Sequence, residues 1–164
     1  MANRSKAASI ALGGVMAALA IVIMALGGMI PLATFVCPML CMLLLRLIAK
    51  QCGSRIAWAW YGAVAILSCL LSPDKEAAAV FVFLGYYPVV KPKMDRLPMQ
   101  WLWKGLLFNI AILSMYALLI YLFGMDALMA EFAEMGKVMT AATLVLGNVT
   151  FFLLDKVLGK RFRR

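Results

Sequence analysis

Long apolar stretches separated by short polar gaps run the length of the chain. They divide it into six segments, residues 7–30, 32–50, 56–72, 74–90, 100–123 and 137–158. Runs of this length and apolarity predict membrane-spanning helices. The third and fourth are short for a hydrocarbon layer of about 30 Å, which predicts that they lie partly within the bundle or in thinned lipid. The first run, "AASIALGGVMAALAIVIMALGGMIP", is too long for a signal h-region and reaches Pro31 without a small-residue cleavage site. It reads as a retained span. Gly85 and Pro88 in "LGYYP" predict a loosened or kinked end to the fourth segment. In "GMDALMAEFAEMG", Met125, Leu128, Met129 and Phe132 are apolar and the acids take other positions. That pattern predicts a short amphipathic helix at the membrane surface. It either closes the turn before the sixth span or acts as a lid hinged at Gly124 and Gly136.

Composition supports the same class. The chain has 164 residues, 66% of them hydrophobic, and a mean hydropathy of +0.98, where a soluble domain is nearer half apolar. The expected fold is all-α: a single polytopic membrane domain of six transmembrane helices. There is no histidine, which removes His-based catalysis, most zinc sites and haem ligation by His. Of the four cysteines, Cys37 and Cys41 share a helix face without forming a CxxC pair, and they read as small packing residues rather than a thiol or metal site. Neither a metal nor a cofactor is expected.

The formal net charge of +9 is explained by its distribution. Arg4 and Lys6 precede the first span. Arg46, Lys50 and Arg55 flank the second-to-third gap. Lys91, Lys93, Arg96 and Lys104 flank the fourth-to-fifth, and Lys156, Lys160, Arg161, Arg163 and Arg164 end the chain. Only Lys75 and Lys137 fall on the other side, where Asp74, Glu76, Asp126, Glu131 and Glu134 also lie. The positive-inside rule then places both termini in the cytoplasm, which requires an even number of spans. The basic total follows from orientation and contact with anionic lipid, not from nucleic acid. Trp58, Trp60, Trp101 and Trp103 all fall in one predicted interfacial belt, with Tyr86 and Tyr87 as further belt residues.

In the first span Ala7, Ala11, Gly14 and Ala18 recur at spacings of four, three and four, forming one small-residue stripe that Gly13 and Ala17 widen. Such a stripe lets another helix approach closely, either within this bundle or from a separate membrane subunit. A basic N-terminus, this stripe, the tight turn "GGMIPLATF" and six short-looped spans together resemble the substrate-binding S component of an energy-coupling factor (ECF) transporter. The resemblance implies capture of a vitamin-type micronutrient at the cell membrane of a bacterium. It implies docking through the stripe to a membrane coupling subunit, and energy from two cytoplasmic ATPases. No GxxxxGK[ST] loop occurs in this chain, so ATP hydrolysis would belong to those partners.

The cluster Asp74, Lys75 and Glu76 interrupts the apolar sequence and has two readings. Ser72 as N-cap and Pro73 at the first helical position would leave the acids in a first turn, where the helix dipole favours them. Alternatively, Lys75 holds an anionic group of a ligand and Asp74 or Glu76 a cationic one, in a region that helps line the pocket of an S component. Tyr116, Thr140, Thr143 and Asn148 are the other candidate substrate contacts. Asn148, midway along the sixth span, either bonds another helix or touches ligand, and Asn109 is expected to make a structural bond. A stand-alone transporter, channel or lipid-moving protein competes with the capture subunit, as does a structural membrane subunit. No span carries a central acid for an ion path. With no histidine and no nucleophile–base pair, an enzyme is not expected.

Overall fold

The computed structural model describes residues 2–27, 33–123 and 126–159. These residues form seven helices and no strand: α1 (Ala2–Gly27), α2 (Ala33–Gln51), α3 (Ser54–Leu71), α4 (Lys75–Leu84), α5 (Tyr87–Met94), α6 (Gln100–Phe123) and α7 (Asp126–Gly159). Five stretches are long and apolar enough to cross a membrane: Ala7–Gly27, Thr34–Gln51, Ser54–Leu71, Gln100–Tyr121 and Ala141–Gly159. Residues 28–32 of the expected first turn, Gly124, Met125 and residues 160–164 of the basic tail lie outside the described residues. So do the side chains of Arg4, Lys6, Leu128, Met129, Phe132 and Thr140.

The fourth apolar segment is not one continuous helix. At ten residues, α4 rises only about 15 Å, half the hydrocarbon thickness. Pro88 has no N–H for the Leu84 carbonyl, and a proline ring crowds the carbonyl four residues back, so α4 ends at Leu84. At the joint the Gly85 N–H reaches the Phe81 carbonyl at 2.7 Å. A Cβ on Gly85 would collide with that carbonyl, so the close approach requires glycine. The break expected from Gly85 and Pro88 is therefore present. A second break falls at Gly136, whose φ of 69° and ψ of 166° lie outside helical values. It divides α7 at the boundary between the expected amphipathic segment and the last span.

The chain forms two compact units, Met1–Leu97 and Pro98–Arg164. In the first, α2 is central and packs against α1, α3, α4 and α5. The core there is built largely from small residues, including Ala20, Cys41, Ala57, Ala77 and Ala78, which lets the helices approach closely. Consecutive helices α1 and α2 run antiparallel, so α1 and α3, which also pack together, run parallel. At one end the Cys52 thiol lies 3.6 Å from the Ser9 carbonyl, and the Trp60 Nε1–H donates to the Gly13 carbonyl at 3.1 Å. At the other the Ser72 hydroxyl donates to the Met24 carbonyl at 3.3 Å.

Two belt assignments are corrected. Trp60 is 4% exposed and serves as an interhelical anchor, because a buried indole N–H needs an acceptor and Gly13 leaves its carbonyl uncovered. Tyr87 is fully buried. Trp58 remains outward at 44% exposure. It stacks on Tyr86 at 6.4 Å and meets Tyr61 edge-on at 5.9 Å. The Tyr61 hydroxyl donates to the Val82 carbonyl, tying α3 to the last turn of α4.

The second unit is an antiparallel pair, α6 and α7. Phe108 stacks on Phe151 at 4.8 Å. Gly147 receives the Phe108 ring and Gly105 the Phe152 ring, at 3.4 Å and 3.6 Å from where a Cβ would stand. Each glycine is thus a hole for the opposite helix's aromatic knob.

Candidate functional site

The question posed by Asp74, Lys75 and Glu76 has a geometric answer for two of the three. Pro73 confines the residue before it to extended backbone, and Ser72 has φ −71° and ψ 129°. Ser72 therefore closes α3, its N–H bonded to the Ser68 carbonyl at 2.9 Å, and does not open α4 as expected. Asp74 is the N-cap of α4. Its Oδ1 accepts the Ala77 N–H at 3.0 Å, three residues on, where an N-cap side chain normally reaches. Its Oδ2 accepts the Thr34 hydroxyl of α2 at 2.7 Å. Lys75 turns back to α3 and donates to the Cys69 carbonyl at 2.9 Å, a favourable place for a cation at a helix C-terminus. Glu76 is half-buried in the first turn of α4.

The surroundings tie three helices to this turn. The Ser72 hydroxyl lies 3.3 Å from the Met24 carbonyl and 3.0 Å from the Asp74 carbonyl. Thr34 carries the link from α2. One turn back along α3, the Ser68 hydroxyl is fully buried and has no hydrogen-bond partner among the described residues. The Asp74 carboxylate keeps further lone pairs beyond the two bonds it accepts. Chemically this is an acceptor-rich, hydrogen-bonded turn. Among the described residues no three His, Cys, Asp or Glu side chains come together to hold a metal ion.

The remaining candidates belong to the second unit. The Asn148 amide pairs with that of Asn109 in both directions, at 3.0 Å and 3.2 Å. Each nitrogen also reaches a carbonyl four residues back, Gly105 at 2.7 Å and Leu144 at 2.9 Å. The helix-to-helix bond expected of Asn148, and the structural bond expected of Asn109, are one and the same contact. Tyr116 is half-buried on α6 and Thr143 exposed on α7.

Two further features escaped the reading of the sequence. Thr34 follows "GGMIPLA" without any pattern that assigns it a partner. Lys104, read as one of the charges flanking a span, is buried and pairs with Asp155 of α7 at 3.1 Å and with Gln100 at 3.4 Å. Its side chain is 5% exposed and that of Asp155 17%. An acid 51 residues away gives no local signal.

On the first span, the helix packs through a stripe adjacent to the expected one. Gly13, Ala20 and Met24 are buried, whereas Ala7, Ala11, Gly14 and Ala18 are exposed. A Cβ on Gly14 would meet nothing within 4 Å. No family model, curated protein or solved structure matches the chain.

Proposed function

We propose that this chain is the membrane-embedded capture subunit of a micronutrient importer, an S component served by a separate membrane coupling subunit and two cytoplasmic ATPases. The observation that carries this reading is the small-residue face of α1 that its own unit leaves uncovered. Ala7, Ala11, Gly14 and Ala18 form a shallow surface suited to a close-packed helix, yet the helix packs into its own unit through the neighbouring stripe. In this reading the chain sits in the bacterial cell membrane with both termini cytoplasmic, and α4 with α5 makes one broken crossing. The charge asymmetry of the connecting segments supports that orientation. The subunit performs no chemistry itself and binds no nucleic acid. The acceptor-rich turn at Asp74, with Lys75 and Glu76 beside it, is the candidate ligand region in the first unit. Tyr116, Thr140, Thr143 and Asn148 are the candidates in the second.

A stand-alone transporter is the second reading, and the broken α4–α5 helix favours it, since interrupted helices often frame transport sites. The two separate by native mass spectrometry of the full chain, gently extracted from its host membrane. The importer reading expects a complex containing a membrane subunit and two ATPases. It also expects Ala11→Leu with Gly14→Leu to release that complex while leaving the fold intact, because both positions are open. A monomer or homo-oligomer that still carries out uptake alone would establish the stand-alone transporter.

A further inference from the structure

The structure sorts the basic residues into those held by protein groups and those left to their surroundings. Lys75 donates to the Cys69 carbonyl. Lys91 is buried and pairs with Asp95 at 3.5 Å. Lys104 is buried against Asp155, and Arg46 is engaged as well. In the first unit, Lys50, Arg55, Lys93 and Arg96 are exposed and have no partner among the described residues.

These four cations come from neighbouring elements. Lys50 is in the last turn of α2 and Arg55 in the first turn of α3, across the Cys52–Gly53 connection. Lys93 is on α5 and Arg96 just beyond it, and α5 packs on α2. Tyr86, at the head of α5, stacks on Trp58 of α3. Asp95 is the only acid on these segments, and it already faces Lys91. Beside the cations stand outward apolar side chains, Leu47 and Trp58, 43% and 44% exposed. A tryptophan and a leucine exposed next to unpaired cations match the boundary between acyl chains and headgroups.

We propose that this end of the first unit is a binding surface for anionic phospholipid headgroups, held by Lys50, Arg55, Lys93 and Arg96. Phosphodiester anions would neutralise cations that no group among the described residues reaches, while acyl chains cover Leu47 and Trp58. Nucleic acid fits less well, because it would leave that apolar border against water.

The test places the full-length protein in nanodiscs of equal parts phosphatidylglycerol and phosphatidylcholine. Native mass spectrometry then counts the lipids retained. The unaltered protein should hold phosphatidylglycerol in preference. Each exposed cation near an anionic surface contributes about fivefold, so K50Q/R55Q/K93Q should weaken the preference by about a hundredfold. K50R/K93R should retain it, which separates charge from misfolding. K156Q removes a single exposed cation of the second unit and should weaken it by no more than about fivefold. The proposal is overturned if the unaltered protein shows no preference, if the triple variant keeps it, or if K156Q removes as much.

Discussion

Replacing Asp74 tests whether its carboxylate is there for the fold. Asp74→Ala removes the N-cap of α4, a loss of about 1 kcal/mol. It also removes the acceptor of the Thr34 hydroxyl, and a hydrogen bond to a charged group contributes about 1.5–3 kcal/mol. Asp74 is only half-buried, so the lower part of that range applies, and the expected loss is about 2–3 kcal/mol. Asp74→Asn keeps one oxygen for the Ala77 N–H and is as good an N-cap, while its amide nitrogen would meet the Thr34 hydroxyl as a donor in a neutral bond, so it should cost about 1 kcal/mol. Thr34→Val removes one bond only and should fall between the two. The assay is equilibrium unfolding of the full chain in mixed micelles, followed by helical circular dichroism. If Asp74→Ala unfolds at the same denaturant concentration as the unaltered protein, the capping argument fails. If Asp74→Asn loses as much as Asp74→Ala, the negative charge itself is what the site needs. A ligand role would appear as a different pattern, with Asp74→Asn stable yet unable to retain a cationic ligand.

The paired amides of Asn109 and Asn148 should behave as one unit. Either alanine variant should lose about 1–2 kcal/mol in the same unfolding assay, and the double variant little more than one of them; strict additivity would refute the pairing. Lys104→Met leaves the Asp155 carboxylate largely buried without its partner and should cost about 3–5 kcal/mol, whereas Lys104→Met with Asp155→Leu should recover most of it. A double variant no more stable than Lys104→Met would mean that the two charges are not coupled. Gly85→Ala forces a Cβ against the Phe81 carbonyl and should destabilise by about 1–3 kcal/mol, while Gly14→Ala, in open space, should not destabilise measurably; equal unfolding midpoints for the two would refute the argument from close approach.

The legible part of the fold rests on local properties. Apolar runs specify helices in an apolar surround, because backbone groups there must bond within their own segment. Proline and glycine mark breaks because their effects act within one turn, and the interruptions at Gly85–Pro88 and Gly136 were both readable. Cys37 and Cys41 sit in the core as small side chains do. The partners of the polar groups were not readable. Thr34 meets Asp74 across 40 residues, Asn109 meets Asn148 across 39, and Lys104 meets Asp155 across 51. Trp60 turned from an expected belt residue into an anchor for the same reason, since the face of α3 that α1 covers depends on how the helices are rotated and offset. Periodicity places residues on a face, but in a helix apolar on most sides it does not say which face a neighbour takes. The apolar sequence by itself therefore determined that the chain is helical and where its helices break. Only the packing of one helix against another decided that Asp74 caps α4 while holding α2, and that α1 packs within its unit beside the small-residue stripe and not through it.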